Sequence, residues 1–146
     1  MNLTLLVFLL AAVVTDMTSG KISNRRIVCG LMSGLAYRIF GEGGAGILTF
    51  LIQISIPVIL FYLLFQMRAL GAGDIKLFSV IGAFLSVQTL LWVMLVSLCA
   101  GAVLGLGKIL YQKVILGKPR GEYTIIHFSI AILLAYIICV WGCIFE

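Results

Sequence analysis

The sequence predicts an all-α, polytopic membrane protein: a bundle of six transmembrane helices forming a single membrane-embedded domain over residues 1–146. Three observations predict it. First, 63% of the residues are hydrophobic and 10% are charged, whereas a soluble domain is roughly half apolar and a quarter charged. Second, the apolar residues form continuous stretches, without the alternation that a membrane β-barrel requires. Third, the charged residues are gathered between those stretches, where membrane topology needs them.

Six apolar segments can be drawn: Leu3 to Thr15, Ile27 to Phe40, Ala45 to Met67, Ile75 to Ser86, Thr89 to Gly107 and Tyr123 to Gly142. The first opens as "MNLTLLVFLL". It lacks the basic start of a signal peptide and is read as a retained helix. The second follows "DMTSGKISNRR", and the third follows the nearly uncharged "GEGG". The fourth is introduced by "RALGAGD" and the fifth by a charge-free turn near Ser86 to Gln88. Gly101, Gly105 and Gly107 lie among small residues in the fifth, as helix-packing glycines do. The sixth follows Lys108, Lys113, Lys118 and Arg120. A straight span needs ~20 residues. The first, second and fourth segments reach that length only if their polar flanks join the helix. Asp16 and Asp74 then stand at or just inside the membrane boundary.

The connectors alternate in charge. Nine of the ten basic residues fall in the odd-numbered connectors or at their edges, and Arg38 alone falls elsewhere. The positive-inside rule places those connectors in the cytoplasm and both termini outside. Asp16, ending the first helix, and Asp74, beginning the fourth, come to the same cytoplasmic side. They are the two aspartates of the chain.

The net charge of +5 does not indicate nucleic-acid binding, because its residues sit where they meet anionic lipid headgroups. Cys29, Cys99, Cys139 and Cys143 contain no CxxC pair and no histidine cluster completes a zinc site. Cys139 and Cys143, one helical turn apart, read as packing residues. His127 has no serine-nucleophile pattern near it, and Glu122 sits beside basic residues with which it pairs loosely.

Two carboxylates that approach closely cannot both ionise easily and tend to share a proton. One can then take a proton from water while the other, protonated, polarises a scissile carbonyl. No metal or cofactor is required. Gly71 and Gly73 allow backbone to pass close to a neighbouring helix or an extended substrate, and permit a bend ahead of the fourth helix. Two plainer readings stand beside this one. An acid at a helix start caps it and suits its dipole, and Asp16 could be an ordinary surface loop residue. A third reading is a small non-enzymatic transporter or assembly subunit that uses the two aspartates as an ion site.

"GAGDIK" resembles the GxGDxK signature of the type IV prepilin peptidases, which are similar to other GxGD intramembrane aspartic proteases such as presenilin and the preflagellin peptidases. "DMTSGKISNRRI" resembles the family's first-aspartate segment, in which an aspartate ends a helix and is followed by a basic residue and an "IPN" run. The resemblance implies that Asp16 and Asp74 are the catalytic aspartates. It aligns Lys21, Asn24, Gly71, Gly73 and Lys76 with the supporting motif, with Ser23 in place of the usual proline. Lys76, two positions past Asp74, points to another side of the helix and is read as anchoring helix depth at the headgroups. The implied substrate is a prepilin or pseudopilin with a short basic leader, a glycine before the cut and then a hydrophobic helix, cleaved at the cytoplasmic face of a bacterial cell membrane. Besides that substrate the implied partners are membrane lipids, with no cofactor.

Two departures accompany the resemblance. The chain has no room for the cytoplasmic cysteine-tetrad insert associated with N-methylation, and so resembles the short, peptidase-only members found in Tad pilus systems. The family's proline-bearing stretch before the last helix is replaced by "TIIHFSIAIL", which puts any substrate contact made by that stretch in question.

Overall fold

A computed structural model describes residues 3–19, 23–67, 70–115 and 128–142. They form six α-helices: α1 Leu3–Ser19, α2 Asn24–Glu42, α3 Ala45–Gln66, α4 Ala72–Phe84, α5 Val87–Ile115 and α6 Phe128–Gly142. No strand occurs among the described residues. The polar flanks do join the helices: α1 runs past Asp16, α2 starts at Asn24, and α4 starts ahead of Asp74. α5 is longer than its apolar segment and continues beyond Gly107 to Ile115. The first five residues of the sixth predicted segment, with His127 among them, lie outside the described residues, as do Lys21 and Glu122. Among the described residues two helices are long and apolar enough to cross a membrane, α3 and the Val87–Gly107 part of α5.

α4 is the centre of the structure. Every residue from Ile75 to Phe84 except Lys76 is buried. α3 packs antiparallel along it, with Phe61 meeting Phe78 edge-on at a centroid distance of 5.0 Å and Ser79 Oγ donating to the Ile54 carbonyl at 3.1 Å. α2 runs parallel to α4 on another side. Its contacts advance in register from Asn24 against Lys76, through Gly30 against Val80 and Gly34 against Ala83, to Tyr37 against Phe84. α5 and α6 form a second closely packed pair, with α1 lying on α6 and more lightly on α2.

Small residues set these approaches. A Cβ at Gly34 would lie 2.4 Å from the Ala83 Cβ, and one at Gly46 would lie 2.5 Å from the Arg38 carbonyl oxygen. Gly82 answers a backbone irregularity. Pro57 has no N–H to give the carbonyl of Gln53, four residues earlier. That carbonyl faces α4, where a Cβ at Gly82 would come within 2.6 Å of it. The glycines predicted to pack α5 divide in two: Gly101 and Gly105 are buried, whereas Gly107 faces open space.

Arg38, the one basic residue outside the odd connectors, is buried. Its Nε donates to the Ala83 carbonyl at 3.0 Å, and one terminal nitrogen donates to Gln53 Oε1 and to the Leu85 carbonyl, each at 2.5 Å. The other terminal nitrogen pairs with Glu42, one turn on in α2. Ala83 and Leu85 lie at the end of α4, where carbonyls have no partner within the helix. Arg38 therefore satisfies the end of α4 and ties it to α2 and α3. Among the described residues no buried side-chain nitrogen or oxygen lacks a partner.

Arg38→Met leaves those acceptors unpaired and is expected to cost about 3–5 kcal/mol, the scale for breaking a buried ionic network from one side. The loss would be read as a lower melting midpoint of the detergent-purified protein. Glu42→Gln, at the exposed edge of the cluster, is expected to cost much less. Among the glycines, Gly82→Ala is expected to destabilise by about 1–3 kcal/mol through overpacking against backbone. Gly107→Ala meets no such contact and should leave the midpoint unchanged or raise it, since alanine is the better helix former.

Candidate active site

Asp16 lies in the last turn of α1. A carboxylate is unfavourable at a helix C-terminus, where the dipole is negative, so this position calls for a compensating partner. Ser129 supplies one: from the first turn of α6 its Oγ donates to Asp16 Oδ2 at 2.6 Å. Ser129 is fully buried and Asp16 half-buried. Asp16 is therefore a helix residue with a partner across the bundle, and the surface-loop reading fails.

Asp74 lies in the first turn of α4, where the dipole favours an acid. The extended backbone at Gly71 (φ −77°, ψ 148°) turns the chain into the helix. The Gly71 carbonyl accepts from the Asp74 N–H at 3.1 Å. The Asp74 carboxylate lies back beside Gly71. A Cβ at Gly71 would lie 3.1 Å from Asp74 Oδ2, so the missing side chain leaves room for the carboxylate itself. Gly73 is half-buried beside it. Asp74 does stand where the helix dipole favours an acid, and that place does not exclude a second role.

The two aspartates are brought together. Asp16 is close enough for its charge to act on Asp74. Among the described residues, no group of three or more histidines, cysteines and carboxylates forms a metal-ligating cluster. Lys76 turns away from the pair, as its spacing predicts, but its ammonium has a partner in the protein: Nζ donates to Asn24 Oδ1 at 2.9 Å. Asn24 opens α2, so two of the predicted supporting residues join the starts of α2 and α4, and headgroup anchoring is not the whole of the lysine's role. Lys21 lies outside the described residues.

Sequence reasoning missed Ser129. Its one signal was its place in "TIIHFSIAIL", the stretch singled out for lacking proline. A lone serine in an apolar helix says little, since such hydroxyls usually bond to their own backbone, as Ser97 does with the Met94 carbonyl.

Elements far apart in sequence thus bring two partly buried carboxylates within electrostatic reach of one another, Asp16 oriented by the Ser129 hydroxyl. Neither the curated proteins nor the solved structures compared with this chain include a match. The model of the type IV leader peptidase family does match, over residues 3–106. That stretch holds both aspartates and the GAGDIK motif, and the chain belongs to this peptidase family.

Proposed function

We propose that this peptidase is an intramembrane aspartic endopeptidase with Asp16 and Asp74 as its catalytic pair. The observation that carries the reading is their approach: the two aspartates of the chain, on α1 and α4, lie within electrostatic reach of one another. In the reaction one carboxylate takes a proton from water as the oxygen attacks the scissile carbonyl carbon. The other carboxyl, protonated, donates to the carbonyl oxygen and stabilises the tetrahedral intermediate. Collapse breaks the C–N bond, and a proton passes to the leaving nitrogen. This chemistry draws on no metal or cofactor.

The substrate is a prepilin or pseudopilin with a short basic leader, a glycine before the cut and a following hydrophobic helix. Family membership and the short, insert-free chain support it. The segment at the cut must be extended, because helical hydrogen bonds shield a carbonyl from attack. The mature helix lies in lipid against the bundle while the leader stays at the cytoplasmic surface. In this reading all six helices cross or enter the bilayer, both termini are outside, and the aspartates face the cytoplasm. Support comes from the basic odd connectors and from the burial of Arg38, which removes the one exception from the surface. The Lys76–Asn24 bond fixes the start of α4, and so Asp74, against α2.

Orientation is checked by introducing single cysteines at Lys21 and at Lys118 in a background without native cysteines. Both positions should be shielded from a membrane-impermeant thiol reagent in intact cells and should label after permeabilisation. Labelling from outside would reverse the topology.

The pair is checked by cleavage of a purified prepilin in detergent. Asp16→Asn and Asp74→Asn should each abolish turnover while keeping the parental melting midpoint. The double variant should be no worse than either, since groups acting as one unit are non-additive. Parental activity should follow a bell-shaped pH profile whose limbs belong to the pair, and a chelator should leave it unchanged. Turnover by either folded single variant would overturn the aspartic mechanism and favour an ion site.

A further inference from the structure

The family match ends at residue 106, yet α6 delivers a fully buried hydroxyl to Asp16. The packing that holds it there is specific. The ring of Phe128 lies over Gly101 of α5, where a Cβ would come within 2.0 Å of it, and meets Phe78 of α4 edge-on at a centroid distance of 6.4 Å. These contacts fix the first turn of α6 against two helices at once. The next residue is turned ~100° round the helix, and Ser129 there reaches α1. Its bond to Asp16 joins residues 113 apart in the chain.

A carboxylate without such a contact can rotate and exchange its two oxygens. A donor 2.6 Å from Oδ2 fixes the plane of the group, and a bond to a carboxylate is stronger than one between neutral groups. Oδ1 is then the oxygen left for another hydrogen. For a base that must meet a water molecule in one orientation, that constraint acts on the chemical step more than on substrate binding.

We propose that Ser129 is a positioning residue for Asp16: it holds Oδ2 so that Oδ1 is presented to the attacking water. The inference rests on the reading of Asp16 and Asp74 as the catalytic pair, and within that pair it assigns Asp16 the part of the base. It assigns α6 a part in the site that the matched segment does not contain.

The test uses the purified full chain in detergent and a tagged prepilin carrying a basic leader, a glycine at the cut and a hydrophobic helix. Initial rates over a range of substrate concentrations are measured for the parent, Asp16→Asn, Ser129→Ala and Ser129→Thr, with the melting midpoint of each. Ser129→Ala is expected to lower kcat by about tenfold or more at a temperature well below every midpoint, leaving KM near parental; the midpoint falls modestly, because Asp16 loses its partner while packing is kept. Ser129→Thr, which keeps a hydroxyl on the same carbon, is expected to recover part of the rate.

Parental kcat in Ser129→Ala would overturn the proposal. So would a loss that appears mainly in KM or vanishes when the assay is run further below the midpoint, or a well-folded Ser129→Thr no faster than alanine. Should the threonine variant melt below the parent, the alanine kinetics decide. An active parent, a dead Asp16→Asn and a fully active Ser129→Ala would sink this inference alone. Cleavage by Asp16→Asn, or none by the parent, would remove the catalytic-pair reading and this inference with it.

Discussion

A short helix buried along nearly all of its length has a C-terminal end to satisfy within the protein, and the structure is organised around that constraint. α4 has 13 residues, or about 20 Å at the usual rise, against a hydrocarbon layer of about 30 Å. Its N-terminal end, partly open to solvent, carries Asp74 where the helix dipole favours an acid, and its C-terminal end is satisfied by the guanidinium of Arg38. The neighbours are then shaped to fit. Glycines in α2 and α4 let backbones approach, and the carbonyl released by Pro57 in α3 finds room beside Gly82. The carboxylate in the first turn of this helix is also one of the pair proposed for catalysis, so the placement of the chemistry follows from the placement of α4.

The other carboxylate belongs to a different group of helices. α2, α3 and α4 pack closely together, and so do α5 and α6, with α1 lying on α6. Asp74 rides on the first group and Asp16 on the second. Their approach therefore depends on how the two groups meet. Phe8 of α1 against Gly30 of α2 and the Phe78–Phe128 ring contact are part of that meeting. Asp16 is steadied within its own group by Ser129, and Asp74 by its place in the first turn of α4.

Much of this was legible in the sequence, and the rest was hidden for physical reasons. The apolar segments marked the helices, and their shortness indicated that Asp16 and Asp74 would be drawn into helical turns. GAGDIK marked one half of the site, and "DMTSGKISN" the other. Arg38 could be seen as an exception to the charge pattern, but two of its acceptors are backbone carbonyls, which every residue possesses and no sequence pattern distinguishes. Ser129 was illegible because a buried serine has the same local sequence whether it bonds to its own helix or across the bundle. The Lys76–Asn24 bond was hidden differently: both residues were noted, but their pairing depends on the parallel register of α2 and α4.

The buried arginine also bears on how such a chain enters a bilayer. α2 carries Arg25, Arg26, Arg38 and Glu42 among its 19 residues and is not one of the two helices apolar enough to cross alone. Arg38 stands one turn from the C-terminal end of α2, where an arginine costs less than the roughly 2.5–3.5 kcal/mol of a helix centre, and α2 leaves the ribosome before any of its later partners. Gln53 is synthesised next, and the carbonyls of Ala83 and Leu85 only after α3 is complete. On the reading that α2 crosses the membrane, its insertion is provisional until α4 arrives. On that reading helices two to four commit to the bilayer together, as one cooperative unit.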